Sequence, residues 1–162
     1  VRRDNAKTLR QLAAQTSPEL FWDKKAFTRL PNAAPMAAFG DRRTYFYQNR
    51  EVDKQIHMGQ DLASLANAQV PAAAPGKVVL AEFFGIYGEA VVLDHGMGLQ
   101  TIYSHLSQIT VKAGDMVARG AVIGNTDSGR YRGLSLDPNS VSFAPKRSCH
   151  RHPEIRAKFR DM

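Results

Sequence analysis

Residues 77–103 read KVVLAEFFGIYGEAVVLDHGMGLQTIY. Within them, 77–84, 89–94 and 99–103 are runs rich in β-branched and aromatic side chains, parted by Gly85, Gly88, Gly96 and Gly98. Short apolar runs split by glycine predict consecutive antiparallel strands, a meander, because such side chains suit a pleated surface and glycine punctuates it. Upstream, Thr44-Tyr45-Phe46-Tyr47 and residues 52–56 flank the polar Gln48-Asn49-Arg50-Glu51, the pattern of a hairpin that delivers His57 at a strand end. Residues 71–75 form a Pro/Ala connection. Downstream, 109–117 carries a Gly114-Asp115 turn between two strand-like pieces, and Gly120 and Gly124 bracket a third. Beyond Gly124 turn formers dominate, and residues 141–144 are the last strand-like piece. The expected fold is mainly β, an antiparallel β-sandwich or barrel-sandwich with an N-terminal helical segment.

That helical segment spans Asp4 to Gln15, where Ala6, Leu9, Leu12 and Ala13 recur at three- and four-residue spacing. Its apolar stripe is expected to lean on a surface outside this sequence. Ser17-Pro18 ends it, and Pro31 to Pro35 marks a second irregular boundary. The organisation expected is a helical connector over 1–35, a β domain over 36–144 and a basic tail over 145–162.

The 162 residues are enough for one domain with extensions. At 43% hydrophobic and 23% charged the composition is globular, and no apolar run is long enough for a transmembrane segment. The net charge is +7, and Lys146, Arg147, Arg151, Arg156, Lys158 and Arg160 stand in the tail against Glu154 and Asp161. Such a tail suits a solvated end or contact with a polyanion. No aromatic platform is interleaved with it, which argues against nucleic acid as a partner. Cys149 is the only cysteine, so no internal disulfide forms. The chain starts at Val1 without a basic, apolar, small-residue leader pattern, as a processed or excised piece would.

The chemistry-bearing residues cluster in His57-Met58-Gly59-Gln60-Asp61 and, 44 residues after Asp61, in Tyr103-Ser104-His105-Leu106. A His and an Asp four apart can supply two ligands to zinc, whose hydrolytic sites keep three protein ligands and one position for water. By spacing alone they are weak evidence for a metal and better suit a satisfied loop histidine and a cap.

The ordered set decides between these readings. His57 to Ala63, Val70-Pro71-Ala72-Ala73, Gly76-Lys77-Val78-Val79, Val92-Leu93-Asp94-His95-Gly96, Tyr103-Ser104-His105-Leu106 and the run from Val111 to Gly124 together resemble the lysostaphin-like (LytM-type) zinc metallopeptidases. Those enzymes cleave peptide cross-links of bacterial peptidoglycan on an antiparallel β fold. The resemblance implies zinc ligation by His57 and Asp61 and a transition-state role for His105 beside the metal. It also implies a cell-wall peptide or a partner hydrolase as the binding partner, and a periplasmic or extracellular place in the bacterial envelope. His95, in the Asp-His-Gly turn, has no catalytic counterpart and is expected to be structural.

The family's pattern continues with His-x-His and Phe, the first imidazole assisting water and the second completing the zinc site. Here Ser140-Val141-Ser142-Phe143 falls at that place, 35 residues beyond His105, with serine where each histidine would stand. A serine hydroxyl is a poor zinc ligand and no general base near neutral pH. Impaired hydrolysis and weakened zinc binding are therefore expected, unless Cys149, His150 or His152 supplies the missing ligand. The divergence after Thr126 has the form of either natural degeneration or a reading-frame slip. Three functions follow: a working zinc endopeptidase, an inactive member that binds peptidoglycan or regulates a hydrolase, and a lipoyl- or biotinyl-carrier module. The last needs a lysine at an exposed hairpin tip, and the turn over 85–88 has none.

Overall fold

The computed structural model describes residues 2–57, 59–127, 132–135 and 155–159. A helix, α1 (Arg2–Ala14), is followed among these by twelve strands. In chain order they are β1 (Ala34–Ala37), β2 (Arg42–Tyr47), β3 (Arg50–Ile56), β4 (Gln60–Ala63), β5 (Gln69–Pro71) and β6 (Gly76–Phe83), then β7 (Glu89–Asp94), β8 (Gln100–Ile109), β9 (Met116–Val117), β10 (Val122–Thr126), β11 (Arg132–Ser135) and β12 (Ile155–Phe159). The larger sheet runs β1-β4-β11-β8-β7-β6-β9, with β10 bridging β8 to β5, and β12-β2-β3 form a second sheet. The expected meander is present as β6, β7 and β8, all antiparallel.

Strand β7 explains why its sequence is apolar without alternation. Val91 and Leu93 face a core with Val70, Val78, Tyr103, Leu106 and Ile123. Ala90 and Val92 face a second core with Leu80, Phe84, Tyr87, Ile102 and Leu9 of α1. A strand covered on both sides has no solvent face to make polar. The helix was expected to lean on a surface outside this sequence; its stripe instead covers the outer face of β6, β7 and β8. That face would otherwise present Leu80, Phe84 and Val92 to water, at a cost of about 1.5–3 kcal/mol for each large side chain.

The segment after α1 is tied down by Asp94. Its carboxylate accepts from Thr16 Oγ1 (2.6 Å), the Ser17 amide (2.7 Å) and the Gly96 amide (2.9 Å). The chain then passes over Gly96, where an added Cβ would lie 1.8 Å from the Glu19 carbonyl oxygen at a backbone φ of +88°. Further on, Arg119 donates through Nε to Asp23 (2.9 Å) and through Nη1 to the Ala26 and Ala73 carbonyls. His95 is fully buried here, its ring nitrogens 2.6 Å from the Pro75 carbonyl and 2.8 Å from Thr101 Oγ1, with Phe27 edge-on. Its role is structural.

Two differences from expectation have local causes. The β2–β3 turn is only Gln48-Asn49, both at positive φ, the two-residue reversal whose twist matches the flanking strands. Residues 155–159 pair with β2 from Ile155 opposite Tyr47 to Phe159 opposite Arg43. Ile155-Arg156-Ala157-Lys158-Phe159 alternates apolar and basic residues, a period-two pattern inside what otherwise reads as a charged tail. The strand expected over 141–144 lies outside the described residues, as do Ser140, Ser142, Cys149, His150 and His152.

Burial pushes the Asp94 carboxyl up, but its hydrogen bonds outweigh this and hold it below the ordinary 3.8. Hydrogen bonds from Arg119, against a smaller opposing push from burial, hold Asp23 at about 2. Both carboxyls are depressed on folding, so their contributions are full above the unfolded value of about 4 and are lost as pH falls below it, for Asp23 down to about 2. Asp94→Ala should cost about 2–4 kcal/mol at pH 7, measured by urea denaturation, from the loss of hydrogen bonds to a buried charge. The gap to wild type should narrow below pH 4; a gap independent of pH would refute the assignment.

Candidate functional site

The site begins where β3 ends. His57 leaves the strand into a short loop bracketed by the turn over 38–41: its amide donates to the Asp41 carbonyl (2.8 Å), and its carbonyl accepts from the Gly40 amide (2.7 Å). The Asp41 carboxylate closes that turn by accepting from the Ala38 amide at 2.8 Å. The imidazole is thereby held at 1% exposure, with Nδ1 2.9 Å from the Ala38 carbonyl oxygen. A carbonyl can only accept, so Nδ1 carries the proton, and in the neutral imidazole Nε2 presents a lone pair.

Asp61 lies on β4, whose pairing with β1 and β11 fixes its backbone. Its Oδ2 accepts from Arg43 Nη2 at 3.0 Å, and its Oδ1 lies 3.1 Å from His57 Nε2. That last separation is within ion-pair range, yet neither atom finds a properly directed hydrogen-bond partner, and both are buried. In the neutral imidazole these are two lone-pair atoms facing each other. Ligands at ~2.0–2.1 Å from one tetrahedral zinc stand about 3.3 Å apart, so the observed spacing and donor types fit a shared zinc ion. Among the described residues no group of three or more His, Cys, Asp and Glu is placed to hold a metal. The fit is that of a half-site.

His105 belongs to β8, inside the strand rather than at its end. Glu89 pairs with Leu106 and Val91 with Tyr103, so β8 carries an extra residue here, and His105 has φ +57°. This is a β-bulge, a device that re-aims a side chain at the cost of local strain. It also divides the edge of β8, with β11 pairing at Ile102 and Tyr103, and β10 from Leu106 to Ile109.

Register relates the two halves. Gly133 of β11 lies opposite Asp61 and Leu134 opposite Tyr103, so the row of Asp61 continues through Gly133 to Ser104, next to His105. Two strand spacings, about 10 Å, separate the rows' ends. The structure thus brings His57 and Asp61 together and sets His105 across a single strand from them. That intervening strand reads Arg132-Gly133-Leu134-Ser135 and has no histidine. The sequence reading missed Arg43. Its only signal was a strand position shared with Tyr45 and Tyr47, and nothing local points to a carboxylate 18 residues on.

Comparison with known proteins agrees with this geometry. The model of peptidase family M23 matches residues 55–142. The chain is 41% identical over 88 residues to an uncharacterised protein of Neisseria meningitidis serogroup B, covering 48% of this chain and 15% of that protein. It is 38% identical over 81 residues to the peptidoglycan DD-endopeptidase ShyA of Vibrio cholerae, covering 49% of this chain and 19% of that enzyme. It therefore spans well under two thirds of these relatives. Among solved structures, a candidate M23 peptidase from Pseudomonas aeruginosa superposes with a TM-score of 0.64 at 26% identity, over 85% of this chain and 58% of that one. A zinc-containing peptidase from Vibrio cholerae gives 0.58 at 25%, over 74% and 41%. With the antiparallel sheet, the buried His57 and Asp61 pair and the family model's match to more than half of its length, this chain belongs to peptidase family M23.

Proposed function

We propose that this chain is a cell-envelope domain, periplasmic or extracellular, that binds peptidoglycan peptide and hydrolyses it poorly. The observation that carries the reading is the strand between the His57 and Asp61 pair and His105, which reads Arg132-Gly133-Leu134-Ser135, sets Gly133 opposite Asp61 and offers no metal ligand. His57 and Asp61 are the residues that would hold zinc, which would supply Lewis-acid polarisation of a peptide carbonyl and a bound water with a pKa of about 7. Asp61 brings the one carboxylate charge, and His57 offers Nε2 because Ala38 holds the other tautomer closed. His105, set in its bulge, donates a hydrogen bond to the oxyanion that develops on the scissile carbonyl. With only these two donors a zinc ion would be held loosely and would activate water weakly. A ligand from Cys149, His150 or His152 would complete the set. Without one, the same surface serves as a binding module for wall peptide or as a regulator of a partner hydrolase.

Zinc content after dialysis against low free zinc should fall well below one per chain. Co-sedimentation with purified peptidoglycan should be retained, and release of soluble stem peptides should be near background. Zinc close to one per chain, with peptide release abolished by Asp61→Ala, would overturn the impaired reading in favour of a working endopeptidase.

His105 offers a second check. At φ +57° glycine is at ease and a β-branched residue is strained. His105→Gly should stay within about 1 kcal/mol of wild-type stability while any residual peptide release disappears, whereas His105→Val should cost about 2 kcal/mol or more. Unchanged peptide release in His105→Gly would remove the residue from the chemistry.

A further inference from the structure

We propose that Arg43 is the positioning residue of the half-site, setting Asp61 for a cation before any ion arrives. The inference rests on the reading of His57 and Asp61 as ligands. A guanidinium and a carboxylate with side chains only 2% and 3% exposed are stripped of water, which is tolerated when each compensates the other. The contact is selective: Arg43 takes Oδ2 and leaves Oδ1 turned to His57 Nε2. Arg43 also stands on a braced element, since β2 is paired on one edge with β3 and on the other with β12.

His57 is set by the same principle, through the Ala38 carbonyl on Nδ1. Each lone-pair atom thus has its companion atom pinned by a partner outside the pair. Groups that pin metal ligands in this way typically change metal affinity by about 10–100-fold when removed. Here the pinning group is itself a cation, so charge and geometry act in opposite directions. A guanidinium repels an incoming zinc ion, and only the orientation it imposes helps. Arg43→Lys separates the two, because it keeps the charge and loses the planar donor geometry.

The test has two parts. First, the unfolding equilibrium of the metal-free protein is measured in urea for wild type, R43Q, D61N and R43Q/D61N. Either single change should raise the unfolding constant by about 100-fold or more, and the double should be no worse than the poorer single. Second, zinc affinity is measured by competition with a chromophoric chelator for wild type and R43K. Arg43→Lys should weaken binding by about 10-fold despite its unchanged charge. Additive effects in the cycle, or wild-type zinc affinity in R43K, would overturn the proposal. If wild type itself takes up no zinc, the ligand reading falls, and the cycle alone decides whether Arg43 sets Asp61.

Discussion

Strand β8 has to serve three neighbours with two edges. One edge pairs with β7; the other is shared, β11 taking Ile102 and Tyr103 and β10 taking the stretch from Leu106 to Ile109. A regular strand cannot feed two diverging partners, so the ladder breaks at the bulge that contains His105. Much else follows from that division. The β11-β4-β1 limb carries the half-site, the β10-β5 limb closes the first core over Val70 and Ile123, and His105 lies at the irregularity between them with φ +57°.

The half-site is electrostatically unusual for so small a cluster. Arg43, Asp61 and His57 are all buried, a guanidinium, a carboxylate and an imidazole within one cluster. Removing such charges from water is costly, and their mutual attraction offsets that cost only with good geometry and further hydrogen bonds. The arrangement supplies both through the Arg43 contact and through the loop that grips His57 at its amide, carbonyl and Nδ1. His57 Nε2 and Asp61 Oδ1 face each other there without a well-directed hydrogen bond. Buried atoms without partners are rare enough to call for an explanation, and a cation between them is one that suits both.

The sequence made the sheet legible because the meander is governed by nearest-neighbour chemistry. Glycine punctuation marked the ends of β6 and β7, and the apolar run of β7 announced burial on both faces. His57 and Asp61 were visible as a pair since four residues separate them. Arg43 was not, because its meaning depends on a partner 18 residues away on another sheet. The bulge at His105 was hidden for a similar reason: it is imposed by two partner strands and leaves no mark in the run Ile102-Tyr103-Ser104-His105-Leu106. The docking of α1 was missed as well. An amphipathic stripe shows that a surface is needed and does not say whose.

The clasp between the N-terminal segment and the Asp94 turn also sets an order of events during synthesis. Thr16 meets Asp94 across 78 residues, and the Leu12 carbonyl meets Gln100 across 88. The helix and the strap behind it leave the ribosome ahead of β7 and β8, so the surface they cover is not yet made when they emerge. At roughly 5–20 residues per second the apolar stripe stays uncovered for several seconds, a long interval for contacts that must close so large a loop. Helix α1 is thus made before the strands that cover it, and a nascent chain stalled before residue 94 would present Leu9 and Leu12 to whatever chaperone stands at the tunnel exit.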